Sequence, residues 1–225
     1  MGIVNFGILT EHVKWLKKEL KLKIFIEGGT YIGGTAKEMA QYFEHVYTIE
    51  KSEKMYLLSQ SNLKKCKNVT LLKGDTREYL NELMDKNDNI LLWLDAHWSG
   101  GDTYGEDDEC PLMEELKIIF RYNKNFVILI DDARLFLSPP PLPHKVYKWP
   151  TYDDIIRFLP QNWRTMVYDD VIYVYPNKIF DEFNFHMQSV AKKSNNNRKE
   201  NSWTLSKDFF QRVKKFIKKE LKCNF

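Results

Sequence analysis

Lys23-Ile24-Phe25-Ile26-Glu27-Gly28-Gly29-Thr30-Tyr31-Ile32-Gly33-Gly34-Thr35 decides how the rest of this 225-residue chain is read. It opens as a short apolar run of the kind that forms a buried strand. It then passes through clustered glycines and continues into a helix-compatible segment from Ala36 to Phe43. A strand, a tight turn and a helix start leave backbone N–H groups and the positive end of a helix dipole at the carboxyl edge of a sheet. A nucleotide-like ligand can settle there. Spacing narrows the ligand. A dinucleotide fingerprint needs a glycine two residues after the first, and neither Gly28 nor Gly29 has one. A Walker-type phosphate loop needs lysine where Gly34 stands, so nothing would meet the outer phosphates.

Working outward, the ends of the later apolar runs carry the chemistry. His45 to Glu50 reads as a second strand ending in an acid, about 20 residues beyond the turn. At that separation a carboxylate can accept from two vicinal ribose hydroxyls. Ser52 opens a helix to about Leu63, and Val69 to Lys73 is a third strand, followed at once by Gly74-Asp75-Thr76. Asp75 can also cap the helix from Arg77 to Met84. A fourth strand, Asn89 to Leu94, delivers Asp95-Ala96-His97-Trp98 to the same edge, ahead of a polar, acid-rich loop from Ser99 to Glu109. Pro111 starts a helix to about Phe120, and a fifth strand, Phe126 to Ile130, ends in Asp131-Asp132-Ala133-Arg134. Strand and helix alternate with short connections, so the sheet is parallel and doubly wound.

At the two ends the pattern changes. Phe6 to Leu20 has the apolar spacing of an amphipathic helix. Ser138 to Pro143, with four prolines, is an extended loop that serves as a stiff connector or as a wall of the substrate pocket. Thr151 caps a helix to about Leu159. Trp163 to Val167 and Val171 to Tyr175 form a hairpin around Tyr168-Asp169-Asp170. The expected organisation is a domain over 1–177, with residues 1–22 as its N-terminal helix, and a helical basic extension over 178–225. In that extension a helix from Ile179 to Ala191 precedes a linker near 193–202 and an amphipathic segment from Leu205 to Leu221.

Glu27-x-Gly29-x-x-x-Gly33-x-Thr35 resembles the first motif of class I S-adenosylmethionine (AdoMet) methyltransferases, and the resemblance extends over about Ile24 to Arg134. It implies a Rossmann-like α/β sheet of five parallel strands plus a C-terminal antiparallel hairpin. It also implies AdoMet held by Glu27, Gly29, Thr30, Gly33, Thr35, Glu50, Asp75, Thr76 and Asp95, with the acid after the third strand on the adenine amino group. An aspartate at the fourth strand end and an acidic pair at the fifth resemble metal-dependent O-methyltransferases of the catechol and macrocin kinds. Three carboxylates in one cleft repel unless a cation holds them, and oxygen ligands suit Mg²⁺, with Mn²⁺ or Ca²⁺ as substitutes. Asp95, Asp131 and Asp132 are therefore the expected metal ligands.

Methyl transfer needs an aligned nucleophile and a group to take its proton. Asp95 and His97 are the catalytic candidates. The catechol enzymes carry a lysine shortly after the corresponding aspartate, whereas Ser99-Gly100-Gly101 follows here, so His97 reads equally as base, cofactor contact or packed histidine. The expected activity is methylation of a hydroxyl on a sugar or other polyhydroxylated small molecule. The alternatives are a metal-independent methyltransferase and a non-catalytic AdoMet-binding module.

Composition bounds the rest. Hydrophobic residues at 43% and aromatics at 14% support a packed core. Three cysteines without metal-type spacing point to a reducing, cytoplasmic setting, and no apolar run reaches membrane-spanning length. From Lys178 onward there are 12 Lys+Arg against 5 Asp+Glu, a surplus of seven that leaves the rest of this +3 chain at −4. The basic segment is expected to dock on its own domain or on a second copy of the chain, and nucleic acid is not the expected partner.

Overall fold

The computed structural model describes residues 7–98 and 108–193. The chain divides into two compact units, Met1–Phe180 and Asp181–Phe225. The first unit holds a seven-stranded sheet flanked by helices: α1 (Thr10–Leu20), β1 (Ile24–Gly28), α2 (Gly34–Met39), β2 (His45–Glu50), α3 (Glu53–Leu63), β3 (Val69–Lys73), α4 (Thr76–Lys86), β4 (Ile90–Leu94), α5 (Leu112–Ile119), β5 (Phe126–Ile130), α6 (Arg134–Leu137), α7 (Tyr152–Phe158), β6 (Trp163–Tyr168) and β7 (Val171–Pro176). A 3₁₀ turn over Val146–Lys148 precedes α7 and another, Asn177–Ile179, follows β7. In the second unit, residues 181–193 are helical. The expected linker and final amphipathic segment lie outside the described residues, as does most of the Ser99 to Glu109 loop.

Strand order is β3-β2-β1-β4-β5-β7-β6, with the first five strands parallel and β7 antiparallel to both of its neighbours. β4 and β5 are buried at every position, as a strand covered on both faces must be, which is why they read as unbroken apolar runs. The hairpin turns on Asp169 (φ 46°) and Asp170 (φ 67°), two consecutive positive values that match the twist of the flanking strands. This is the mixed sheet and terminal hairpin expected of the class I methyltransferase fold.

Local chemistry sets most boundaries. Ser52 caps α3 by accepting from Met55 N–H, Asp75 caps α4 by accepting from Arg77 N–H, and Thr151 with Asp154 forms a reciprocal capping box at α7. Two expected helices are shorter than their sequence spans. α1 starts at Thr10 rather than Phe6, and α2 starts at Gly34 and ends at Met39, beyond which Phe43 turns inward and is buried. Among the described residues no helix is long and apolar enough to cross a membrane.

Candidate active site

The order reversal between β1 and β4 opens a crevice at the carboxyl ends of the parallel strands, where ligands settle in sheets of this kind. Gly29, just after β1, has φ +90°. A Cβ built there would lie 2.2 Å from the carbonyl oxygen of Asp95, so only glycine lets the turn pass against the end of β4. Gly33 (φ +83°) repeats the device against Leu63 of α3.

Beneath the turn lies a closed polar network. Glu27 is 1% exposed, accepts from the Thr48 hydroxyl at 2.5 Å and is also bonded by Thr35. Thr48 is the β2 partner of Glu27 in register, and its hydroxyl also meets that of Thr30 at 2.5 Å. Burial pushes the Glu27 carboxyl up to about 8 despite these bonds. The side chains of Glu27, Thr30, Thr35 and Thr48 thus tie the turn after β1 to β2. Sequence reading did not find Thr48, although a threonine one strand over from a buried acid is the available signal.

Glu50, the expected ribose contact, ends β2. Its Oε2 accepts from Tyr31 N–H and its Oε1 from Ser52 N–H, both at 2.7 Å. The backbone N–H of Lys51 bonds the same carboxylate, so three main-chain donors fix its position at the strand end. Burial raises its pKa, and these backbone donors work the other way. An open glycine turn, a strand-end carboxylate and a helix N-terminus together fit AdoMet.

Asp75 is differently engaged. Its Oδ1 accepts from Arg77 N–H at 3.0 Å and Arg77 Nε at 2.8 Å, and its Oδ2 from Arg77 NH2 at 2.7 Å and Lys51 Nζ at 2.8 Å. Burial would raise its pKa, but these donors outweigh it and hold the carboxyl well below the usual range. One of these four donors is the helix cap, and the other three are the Arg77 and Lys51 side chains. Thr76 is buried against Gly28 and bonds the buried Glu115 of α5, whose carboxyl is pushed up to about 8 by burial and by the Asp75 charge.

Beyond β4 and β5 stands a cluster of titratable side chains that holds the expected catalytic and metal-binding residues. His97 is 7% exposed. Its Nε2 meets Asp132 Oδ2 at 2.8 Å, and its Nδ1 lies 3.6 Å from Asp95 Oδ1. Burial opposes the imidazolium, but the Asp132 hydrogen bond and the charges of Asp95, Asp132 and Asp131 outweigh it and raise the His97 pKa. Burial together with the charges of Asp131 and Asp132 raises Asp95. Burial and the Asp132 charge likewise raise Asp131. Asp132 goes the other way: burial is outweighed by the His97 bond and by Arg134, so it stays ionised. Asp132 sits at φ +55°, a left-handed value that Asp tolerates better than most residues. Arg134 bonds Asp132 Oδ1 at 2.7 Å and is paired with Asp170 of the hairpin turn, whose carbonyl also accepts from Ala133 N–H at 2.8 Å.

This arrangement does not form the three-carboxylate metal site expected from Asp95, Asp131 and Asp132. Asp132 directs one oxygen to His97 and the other to Arg134, and Asp131 Oδ1 accepts from Asp132 N–H at 2.8 Å. Protein donors therefore already engage both oxygens of Asp132 and one oxygen of Asp131. Among the described residues no group of three or more His, Cys, Asp or Glu side chains has the geometry to hold a metal ion. Arg134, two residues on, supplies the counter-charge to Asp132 instead.

The stretch that follows the proline-rich segment packs beside this cluster through Trp149. Glu109, 1% exposed, accepts from Lys145 N–H at 3.0 Å and from the Trp149 indole at 2.8 Å. Trp149 in turn packs edge-on against His97 at 5.4 Å. Glu109 was not singled out from sequence, because nothing local distinguishes it from the other acids of its loop.

Comparison with known proteins bears on this geometry. No curated protein matches the chain. A provisionally named caffeoyl-CoA O-methyltransferase from Staphylococcus aureus shares the fold with a TM-score of 0.55 at 18% identity, over 77% of this chain and 86% of that one. An O-methyltransferase from Bacillus cereus solved with S-adenosylhomocysteine (SAH) superposes with a TM-score of 0.50 at 14% identity, over 77% and 84%. An rRNA methylase from Streptococcus thermophilus gives 0.50 at 12% identity, over 78% and 99%. A family model described as RNA cap guanine-N2 methyltransferase matches residues 22–179, which span the glycine turn, Glu50 and the His97 cluster alike. The chain belongs to that methyltransferase family, and the protein is an AdoMet-dependent methyltransferase.

Proposed function

We propose that the protein methylates a hydroxyl group of a sugar or other polyhydroxylated small molecule, with His97 as the proton acceptor. The observation that carries this reading is the His97–Asp132 pair, 2.8 Å apart, beside Asp95. AdoMet, when bound, supplies a sulfonium methyl group. The residues of the chain do the rest. Asp132, held ionised by Arg134, orients the imidazole and stabilises the cation it becomes, and Nδ1 faces Asp95 and accepts the proton of the attacking hydroxyl. A base oriented by a carboxylate serves an alcohol, whose proton must leave as the bond forms. An exocyclic amine attacks through its lone pair and needs less help. The neighbouring carboxyls of Asp95 and Asp131 offer acceptors to further hydroxyls and disfavour a polyphosphate.

A second reading, N-methylation of guanine in capped RNA, is favoured by the description of the family. The two readings separate in an assay of labelled methyl transfer from AdoMet to a panel of sugars and nucleoside sugars and, in parallel, to cap-bearing RNA. The proposal expects label on a hydroxyl acceptor, turnover that survives EDTA, and loss of activity in His97→Ala. Label on RNA alone would replace it with the second reading, and abolition by EDTA would restore the metal.

A further inference from the structure

A cavity of about 490 Å³ lies at the opposite edge of the sheet, near the amino end of β5 and the start of β6. A five-residue strand rises about 3.3 Å per residue, so roughly 15 Å of β5 separates this cavity from the Asp131–Asp132 end. Three cations line it, Arg121, Lys124 and Lys178, and no carboxylate does. Lys124 donates to the carbonyls of Asp85 and Asn87, and Lys178 to Asn125 Oδ1 at 3.4 Å, contacts that place these ammonium groups without neutralising them. Arg121 makes no ion pair with any described residue. Its planar guanidinium suits two phosphate oxygens at once. The other wall is aromatic. Trp163 stacks on Phe126 at 4.7 Å and 26°, and Phe120 meets Trp163 edge-on at 4.9 Å. Trp163 and Phe120 are only half-buried, so the wall offers ring surface to a planar ligand.

We propose that this cavity is a second ligand site that takes a nucleotide, with its phosphate on Arg121, Lys178 and Lys124 and its base against the Trp163–Phe120 wall. The size suits one nucleotide, since ligand pockets begin at about 300 Å³. The basic C-terminal segment of the same chain is an unsuitable occupant because its charge has the same sign. The nucleotide can come from solution or from an RNA strand, and the chemistry is the same. This site is independent of the methyl-transfer centre and of its acceptor.

The test is calorimetric titration of the full chain, with SAH saturating the first site, using GDP, guanosine and a short 5′-phosphorylated single-stranded RNA. GDP should bind, with guanosine about tenfold weaker or more. Arg121→Ala and Lys178→Ala should each weaken GDP about tenfold, the usual effect of one charge-assisted contact, while SAH affinity stays unchanged and reports an intact fold. Arg121→Lys should recover part of the loss. RNA that binds more tightly than GDP, with a steeper salt dependence and the same sensitivity to Arg121→Ala, identifies a strand as the source; GDP that binds more tightly identifies a free nucleotide. No GDP binding at about 1 mM, or GDP or RNA binding indifferent to both substitutions, overturns the proposal.

Discussion

Gly29→Ala tests the architecture at its tightest point. The added methyl would sit 2.2 Å from the Asp95 carbonyl oxygen, and the residue would have to hold φ +90°. The left-handed backbone alone costs about 1–3 kcal/mol for a residue with a Cβ. Relieving the overlap requires the end of β1 to move about 1 Å from the end of β4, which stretches the 2.9 Å hydrogen bond from Asp95 N–H to Gly28 O. Losing such a buried bond costs about 1–3 kcal/mol more. The sum is about 2–6 kcal/mol, and at about 2–4 °C per kcal/mol for a chain of this size Tm should fall by roughly 4–24 °C. Thermal unfolding with and without SAH is the assay. SAH should stabilise the wild type and lose most of that effect in the variant, because the displaced turn is the cofactor cradle. A variant that melts within about 2 °C of wild type and keeps its SAH response would refute the claim that this glycine is fixed by the approach of β4.

The other expectations concern single groups. Glu50→Ala should weaken SAH by about tenfold to a hundredfold in calorimetry, since both carboxylate oxygens that would meet the ribose are removed. Asp132→Asn should lower turnover by about tenfold to a hundredfold. It should also shift the acid limb of the pH–rate profile to lower pH: Asp132 raises the His97 pKa, so without that charge the imidazole becomes neutral, and competent as a base, at lower pH. Glu27 sits at about 8, above its ordinary 4.5, so its favourable contribution to stability is complete below the ordinary value and is lost as pH rises through about 8. Glu27→Gln should therefore raise Tm relative to wild type above about pH 8 and little at pH 5 in parallel thermal melts.

Legibility in the sequence followed the range of the interactions involved. The parallel strands were readable because β4 and β5 are buried on both faces and so carry unbroken apolar runs. The caps at Ser52, Asp75 and Thr151 were readable because they act within a few residues. The destinations of the polar side chains were not. Glu27 is the expected cofactor contact, and the partner its carboxyl finds, Thr48, lies one strand away and 21 residues on. Asp95, Asp131 and Asp132 looked like a metal trio because three acids at adjacent strand ends must be neutralised. The structure neutralises them with His97 and Arg134, and Arg134 is itself aimed by Asp170, 36 residues distant. The cavity beside Trp163 left no motif, because its cations come from the α5–β5 connection and from the turn after β7.

One contact near the His97 cluster has a consequence for how this protein can diversify. Trp98 N–H donates to Glu109 O at 2.8 Å, so the chain leaves β4 and returns to α5 through two ends clasped to each other. The clasp is a socket: whatever sequence runs between its ends, the scaffold on either side meets the same two atoms. The chain-entropy cost of lengthening such an insert grows only by about 0.6 kcal/mol per doubling. The Glu109 carboxylate meanwhile fixes Lys145 and Trp149 from the socket itself. Segments of different length and chemistry could therefore be exchanged between Trp98 and Glu109 with His97, the glycine turn and Trp149 left in register, which makes this interval the natural place to graft a new acceptor preference.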